Sequence, residues 1–331
     1  IRVREIHFFE AHTCHVDEAD ATRQIEEDLE IAARLMHDLC LPTLVARRPL
    51  WDTFPGAHYT IGIDVVMPDG RTLQVASVHH YRDQWARAFD VRYEDAQGEQ
   101  QYCHQTTYGM SERLLGAVVG VHGDDRGLIL PPAIAPHQAV IVPVLAKEGA
   151  DDVLAACHEL QAQLREAGLR VHLDDRDLRP GQKYYDWEIR GVPLRLELGP
   201  RDLASGECVL APRTGGKDSV PLAGATEAVK EALEAVAVEL RRRTEKANNT
   251  CMHVLPPLER SAEGRLSLAE PVEPGRIYEI PFDGSDAEAA MVEELTGHSF
   301  LGDAREPFAK ARKCAVSGKS TKRRVWLARS Y

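Results

Sequence analysis

The six residues 131-PPAIAP-136 cut the chain into two rhythms, because prolines at this density end helices and strands alike. Ahead of them, residues 58–126 alternate short apolar runs with turn signals such as 68-PDG-70, the pattern of an antiparallel sheet. Behind them, 139-AVIVPVLA-146, 150-ADDVLAACHELQAQLREAG-168, 170-RVHLDD-175 and 192-VPLRLELG-199 read as strand, helix, strand and strand, which requires a partly parallel sheet covered by helices. A helix from about Gly224 to Lys246 closes that block. Upstream, 17-DEADATRQIEEDLEIAARLMHDLC-40 sets Ile25, Leu29, Ala32, Leu35, Met36 and Leu39 at helical spacing, with acids crowding the first turn and Pro42 beyond the end. The last stretch, about 250 to 331, holds turns, a helix around 285–296 and a terminal strand 325-VWLARSY-331. Three domains are therefore expected: 1–136, α+β with an antiparallel sheet; 137–248, α/β with a mixed sheet; and 249–331, small and α+β.

The net charge of −12 argues against a protein that coats nucleic acid non-specifically, since such binding needs a dominant basic field. It leaves room for a local basic surface, and from Pro307 to Tyr331 there is no acidic residue at all. No apolar run approaches the length of a membrane span and no leader pattern opens the chain, so no membrane partner and a cytoplasmic location are expected. The seven cysteines are odd in number and unpaired by spacing, which reads as reduced thiols. The strand-like opening 1-IRVREIHFFEAHTCH-15, without cap or lead-in, reads as a start inside a domain.

Two nucleotide motifs fail on spacing. A phosphate-binding loop needs a glycine five positions before its Gly-Lys, and for 318-GKST-321 and 215-GGK-217 those positions hold Lys313 and Ala211. No G-x-G-x-x-G is present. The histidines of 7-HFFEAHTCH-15 and 79-HH-80 could form a metal cluster, yet on a strand His7 and His15 share a face while His12 points away, which favours hydrogen-bonding or substrate-contacting roles. Arg2, Arg4, Glu5 and Glu10 on an apolar strand, and Arg113 in 108-YGMSERLLGAVVG-120, are charges that demand a partner or a ligand. They are either structural ion pairs or arginines placed to neutralise a polyphosphate, whose oxygens suit the guanidinium fork.

The segment 2-RVREIHFFEAHTCH-15 resembles motif 2 of class II aminoacyl-tRNA synthetases, in the form found in prolyl-tRNA synthetases of the archaeal and eukaryotic type. The resemblance continues through 53-TFPGAHYT-60, 70-GRTLQVASVHH-80, motif 3 in 109-GMSERLLG-116, 122-HGDDRGLILPP-132, 176-RDLRPGQKYYDWEIRGVPLRLELGPRD-202 and the terminal tyrosine of 325-VWLARSY-331. It implies a class II synthetase catalytic domain, an anticodon-binding domain at 137–248, and a C-terminal domain similar to the family's zinc-binding one. The implied activity is that of an ATP-dependent, AMP-forming ligase: L-proline is activated to prolyl-adenylate and passed to tRNA(Pro) by a homodimer. By position, Arg2 and Arg113 would be catalytic. Arg2, Glu5, Glu10, Gln74, Ser77, Ser111 and Arg113 would surround ATP and its Mg2+, which needs few protein ligands when held between phosphates. Phe8, His12, Phe54, His79 and Tyr108 would line the proline pocket. Tyr184, Glu188, Arg195 and Lys217 would read the anticodon by stacking and by hydrogen bonds, arginine donating to O6 and N7 of guanine and glutamate accepting from its N1 and N2 hydrogens.

The chain departs from the family pattern in three ways. The similarity begins within motif 2, so motif 1 and the loop that holds the proline imino group have no counterpart. Phe8 stands for the usual Trp, Ile6 for the Phe expected on adenine, and 75-VASV-78 for a Gly-Thr-containing segment; a lost aromatic stack forfeits ~1–3 kcal/mol. Finally, the positions of the family's four zinc cysteines hold Asp283, Glu288, Cys314 and Ser317, a poor structural zinc set, and no zinc is expected. Two rival readings follow from these departures: a paralogue that activates another small amino acid, and a non-catalytic tRNA-binding module.

Overall fold

The computed structural model describes residues 4–146 and 148–331. The chain forms two compact units: one takes in residues up to Met36, Pro42–Ala117 and Lys246–Tyr331, the other His37–Leu41 and Val118–Glu245. In chain order the elements up to His122 are β1 (Phe8–His15), α1 (Glu18–Asp38), β2 (Thr43–Arg47), β3 (Tyr59–Val66), β4 (Thr72–Arg82), α2 (Gln84–Phe89), β5 (Arg92–Glu94), β6 (Gln100–Tyr102), β7 (His104–Ser111) and α3 (Arg113–His122). There follow β8 (Ala139–Pro143), α4 (Ala150–Glu166), β9 (Val171–Leu173), α5 (Pro180–Ile189), β10 (Leu194–Leu198), α6 (Pro200–Ser205), β11 (Glu207–Pro212), β12 (Asp218–Pro221) and α7 (Ala225–Cys251). The chain ends with β13 (Met252–Val254), β14 (Leu258–Arg260), β15 (Leu266–Leu268), β16 (Ile277–Pro281), α8 (Asp286–Thr296), β17 (Ser299–Ala304), β18 (Arg312–Lys313), β19 (Ser320–Thr321) and β20 (Arg324–Ala328).

The first unit is built on a nine-stranded sheet in the order β1-β7-β4-β3-β2-β17-β20-β16-β13, antiparallel except where β13 meets β16. The segment set apart at 249–331 therefore continues the sheet of the first segment, through β17 beside β2 at Asp303↔Arg47 and Ala304↔Ala46. It also keeps a core of its own, where Phe282, Val292, Phe300, Val325 and Leu327 are buried together. The tail folds back along β4: Thr72 N–H donates to the Arg329 carbonyl at 2.8 Å and the Tyr331 hydroxyl to Asp69 Oδ2 at 2.8 Å. The hairpin between β3 and β4 turns at Gly70, whose φ of +76° is open to glycine and where a Cβ would meet the Gly275 carbonyl oxygen at 2.0 Å. α1 starts on Asp17, whose Oδ1 accepts from Asp20 N–H at 2.8 Å, and buries Ala21, Ile25, Leu29, Ala32 and Met36 at the spacing read from the sequence.

The second unit is a three-layer α/β body on the sheet β12-β11-β10-β8-β9, with β8 parallel to both β9 and β10. Alternation sends Ala139, Ile141, Leu194, Leu196 and Leu198 to one face, against Val153, Cys157, Leu160 and Leu164 of α4 and Val229 and Leu233 of α7. Each such aliphatic side chain taken out of water is worth ~1.5–3 kcal/mol. The other face carries Val140 and Val142 under Trp187 of α5. Among the described residues no helix is long and apolar enough to cross a membrane, and all seven cysteines are free.

Candidate functional site

One irregularity in β4 decides what its open face presents. The β3–β4 register pairs Ile63 with Ala76 but Asp64 with Gln74, leaving Val75 as an extra residue in a bulge. Beyond the bulge Gly62 faces Ser77 and Thr60 faces His79, so Gln74, Ser77 and His79 share one face of the sheet with Thr60 and Asp64. The next strands keep the alternation: Ser77 pairs with Gly109 and His79 with Thr107 on β7, and Ser111, Gly109 and Thr107 pair with Phe8, Glu10 and His12 on β1. α1 takes the opposite face, where its Leu29, Ala32 and Met36 meet Val45 and Ile63. The face left open is thus the one carrying Phe8, Glu10, His12, Gln74, Ser77, His79 and Ser111.

Two hollows lie on that face. The first, about 370 Å³, is lined by Glu10, His12, Phe54, Tyr81, Trp85, Phe89, Gln105 and Thr107. His79, 8% exposed, packs beside Phe54 of that wall. The ring of His79 lies 4.9 Å from that of Phe54, and its two nitrogens contact Thr60 Oγ1 at 2.9 Å and Ser77 Oγ at 3.0 Å. Thr60 Oγ1 already accepts from Phe54 N–H at 2.9 Å. Either neutral tautomer satisfies both contacts: the Thr60 hydroxyl donates to Nδ1 while Nε2–H donates to Ser77, or Nδ1–H donates to the second lone pair of Thr60 Oγ1 while the Ser77 hydroxyl donates to Nε2. Burial pushes His79 down, against a smaller opposing effect of the Glu10 charge, so the ring is neutral. His12 Nδ1 meets Thr107 Oγ1 at 3.1 Å and its Nε2 meets Glu10 Oε2 at 3.1 Å.

The second hollow, about 420 Å³, is lined by Gln74, Arg113, Arg48, Asp64 and residues of the tail, Ser330 and Tyr331 among them. Arg113 opens α3 beside Ser111, whose Oγ accepts from its backbone N–H at 3.4 Å. Its Nε is buried with no hydrogen-bond partner among the described residues, a donor in want of an acceptor. Arg48 lies under the floor across Gly62, where a Cβ would stand 2.3 Å from its guanidinium. Gly109 is the matching gap under Phe8, at 2.6 Å.

Not every expected residue arrives. Arg2 lies outside the described residues. Glu5 is exposed in the bend ahead of β1, clear of both hollows. Tyr108 is turned away: alternation along β7 puts it on the helix-covered face, 4% exposed and edge-on to Phe9 at 6.1 Å, while its neighbour Thr107 takes the open face. The resemblance supplied Tyr108 without regard to strand parity. Thr60, Thr107, Tyr81 and Trp85 are site residues missed in the sequence; period two from His79 reaches Tyr81, and period two from Ser111 reaches Thr107.

In the second unit Tyr184, Glu188, Arg195 and Lys217 form one cluster. The Arg195 guanidinium lies 4.0 Å over the Tyr184 ring and Lys217 Nζ 5.6 Å from it. Glu188 and Arg195 pair loosely, at 3.5 Å. The cluster is held by Glu197, a residue missed in the sequence: its Oε1 accepts from Arg195 Nε at 3.1 Å, Nη2 at 3.0 Å and Lys217 Nζ at 2.8 Å. Burial pushes Glu197 up, but the bonds from Lys217 and Arg195 outweigh it and hold the carboxyl below its ordinary value. Glu188, Arg195, Lys217 and Trp187 line a hollow of about 150 Å³ with Gly215 and Gly216.

At the cysteine-poor knuckle, Cys314 Sγ accepts from the backbone N–H of Asp283 at 3.0 Å and of Ser317 at 3.4 Å. Glu288 is occupied elsewhere, capping α8 with Ser285 and pairing with Arg260 at 2.7 Å. Among the described residues no group of three His, Cys, Asp or Glu is placed to hold a metal ion.

Residues 1–122 match the tRNA synthetase class II core domain (G, H, P, S and T), and residues 138–232 the anticodon binding domain. The whole chain is 45% identical to 69% of the proline–tRNA ligase of Thermococcus kodakarensis and 43% identical to 68% of that of Methanosarcina mazei. Its fold is similar to that of Giardia lamblia prolyl-tRNA synthetase, solved in complex with prolyl-adenylate, at a TM-score of 0.88 and 32% identity over the whole chain and 70% of that protein. With both family domains in order and this identity along its full length, the chain belongs to the proline–tRNA ligase family.

Proposed function

We propose that the chain activates proline with ATP and transfers it to tRNA(Pro). In the first step an oxygen of the proline carboxylate attacks the α-phosphorus, and the bond to pyrophosphate breaks. In the second, a hydroxyl of the tRNA's terminal adenosine attacks the prolyl-adenylate carbonyl, loses its proton, and AMP leaves. Little covalent chemistry falls to side chains, so positioning and charge compensation are the protein's task. Arg113, with Arg2, compensates phosphate charge; Gln74, Ser77 and Ser111 surround the nucleotide, with Mg2+ arriving on its phosphates, while Glu10 stands on the wall of the other hollow. Phe8, His12, Phe54 and neutral His79 form the proline pocket, the imidazole presenting an uncharged wall to the pyrrolidine ring.

The observation that carries this reading is that candidates for both substrates stand on one face of one sheet, Gln74 and Arg113 lining one hollow and Glu10, His12 and Phe54 the other, with Ser77 and His79, hydrogen-bonded to each other, on β4 between Gln74 and Tyr81. In the second unit, Tyr184 offers a stacking surface and the free edge of Arg195, with Glu188, the complement of a guanine edge. A homodimer working in the cytoplasm, where translation runs, belongs to the same proposal. Proline-dependent ATP–pyrophosphate exchange by the intact protein tests it. Arg113→Ala abolishes exchange and spares tRNA binding; tRNA binding without exchange for any amino acid would leave only an RNA-binding module.

A further inference from the structure

Gln74 can serve a nucleotide only if its amide is held one way round. A free glutamine side chain offers either its oxygen or its NH2 group to the hollow, and the two are opposite in hydrogen-bond sense. The residue that breaks this symmetry is Arg48. Its side chain is 4% exposed, and Nη2 reaches both Asp64 Oδ2 at 2.7 Å and Gln74 Oε1 at 3.3 Å. Because arginine donates and never accepts, the contact fixes Oε1 inward and turns the Nε2 hydrogens towards the hollow shared with Arg113. Asp64, itself 2% exposed at the side chain, anchors the fork. Burial pushes its carboxyl up and the Arg48 charge opposes this, so the pair stands or falls together. Gly62 opens the space in which the guanidinium lies flat on β3. The fork has a further hold: Nη1 donates to the Leu301 carbonyl at 2.9 Å, which ties the amide of Gln74 to β17.

We infer that Arg48 is a positioning residue for ATP: it sets Gln74 as a hydrogen-bond donor to the nucleotide and makes that setting depend on β17. The inference rests on the proposed ATP role of Gln74 and deepens it. Its expected signature is selective. Loss of Arg48 lets the amide sample both orientations and several rotamers, so the competent fraction falls to about a tenth and the KM for ATP rises about tenfold, while the KM for proline stays put.

The experiment is proline-dependent ATP–pyrophosphate exchange by the intact protein, with each substrate varied in turn and the melting temperature recorded. Arg48→Met alone leaves Asp64 as an uncompensated buried charge and invites unfolding. The informative variant is therefore Arg48→Met with Asp64→Asn, which buries no charge. It is expected to melt near the parent and to show the tenfold rise for ATP only. Arg48→Lys, whose ammonium still reaches Asp64 and one more acceptor, returns the KM for ATP to within about threefold of the parent. Gln74→Ala and the double variant should not combine multiplicatively, since both remove the same contact. A folded double variant with the parental KM for ATP overturns the inference, as does a parallel rise for ATP and proline, or full multiplicativity with Gln74→Ala. An inactive parent would instead count against the proposed function itself.

Discussion

Glu197→Gln removes one charge while keeping shape and one acceptor, and its effect can be worked from the cluster around Tyr184. Glu197 Oε1 accepts three donors, two from Arg195 and one from Lys217. The Arg195 and Glu197 side chains are only 12% and 11% exposed, so their charge-assisted pair falls in the range of ~1.5–3 kcal/mol. Lys217 is 53% exposed and its contact is screened, worth ~0–1 kcal/mol. A glutamine carbonyl retains part of both, which leaves a net loss of about 2 kcal/mol. That energy holds one edge of the Arg195 fork and leaves the other, only loosely met by Glu188, facing outward. If the held edge is what orients Arg195 towards a base, the KM for tRNA(Pro) in aminoacylation rises about 30-fold, since every ~1.4 kcal/mol is a factor of ten. ATP–pyrophosphate exchange stays at the parental level. Binding of unrelated tRNA at low salt is unchanged or slightly tighter, because the variant carries one negative charge fewer. A cognate KM within twofold of the parent, or below it, would show that Glu197 merely neutralises the cations and that Arg195 needs no holding.

Three further outcomes are expected. Thr60→Val strips the partner from both His79 Nδ1 and the Phe54 N–H, so the KM for proline in exchange should rise at least about tenfold, at ~1–3 kcal/mol per buried group left unpaired, with the KM for ATP within about threefold; an unchanged proline KM removes His79 from the pocket. Burial raises the Asp174 carboxyl, but the hydrogen bonds from Arg176 and Trp187 outweigh it and bring it from 3.8 down to about 2. A depressed carboxyl stabilises the fold above about pH 3.8 and loses that contribution as pH falls through 2; at ~1.36 kcal/mol per pH unit it amounts to about 2.4 kcal/mol. Asp174→Asn should cost β10 about fiftyfold in amide protection near neutrality, with the gap to the parent closing by about pH 2, and a gap independent of pH would refute the assignment. Ser285→Ala deletes the cap of α8, where Ser285 Oγ accepts from Glu288 N–H at 3.3 Å, and should cost the first unit ~1 kcal/mol in denaturant unfolding.

Where the sequence was periodic it was readable. The stripe within 17–40 becomes α1 at Glu18–Asp38, and the helix expected at 285–296 runs Asp286–Thr296, because a capped apolar stripe is a local signal. The mixed sheet of the second unit followed from short apolar runs alternating with a helix. What escaped was long-range or singular. Nothing local in 299-SFLGDA-304 announces that it will pair with 43-TLVAR-47, so the first and last segments read as separate domains although they share a sheet. Glu197 is a different kind of miss: in 192-VPLRLELG-199 Arg195 and Glu197 stand two apart on a strand, hence on one face, and alternation alone could have paired them. Tyr108 failed for the same reason in reverse, since its parity opposes that of Ser111 and Gly109. The family likeness supplied residue identities, whereas the faces on which they land came only with the strand register.

The extra residue at Val75 makes the site depend on an irregularity of β4 and not on alternation alone. Ser77 and His79 are set by their partners on β3 and β7, and Gln74 by its place opposite Asp64; with two residues between Gln74 and Ser77, only the bulge brings them to one face. A regular strand of the same sequence would have to turn either Gln74 or Ser77 and His79 towards α1, with every proposed ligand of ATP and proline still in the chain. Deleting Val75, by contrast, leaves a single residue between Gln74 and Ser77, so Asp64 still faces Gln74 and Gly62 still faces Ser77 on an even strand. Among chains of this fold, one residue between them in a regular strand and two in a bulged one are therefore equivalent ways of presenting the same face.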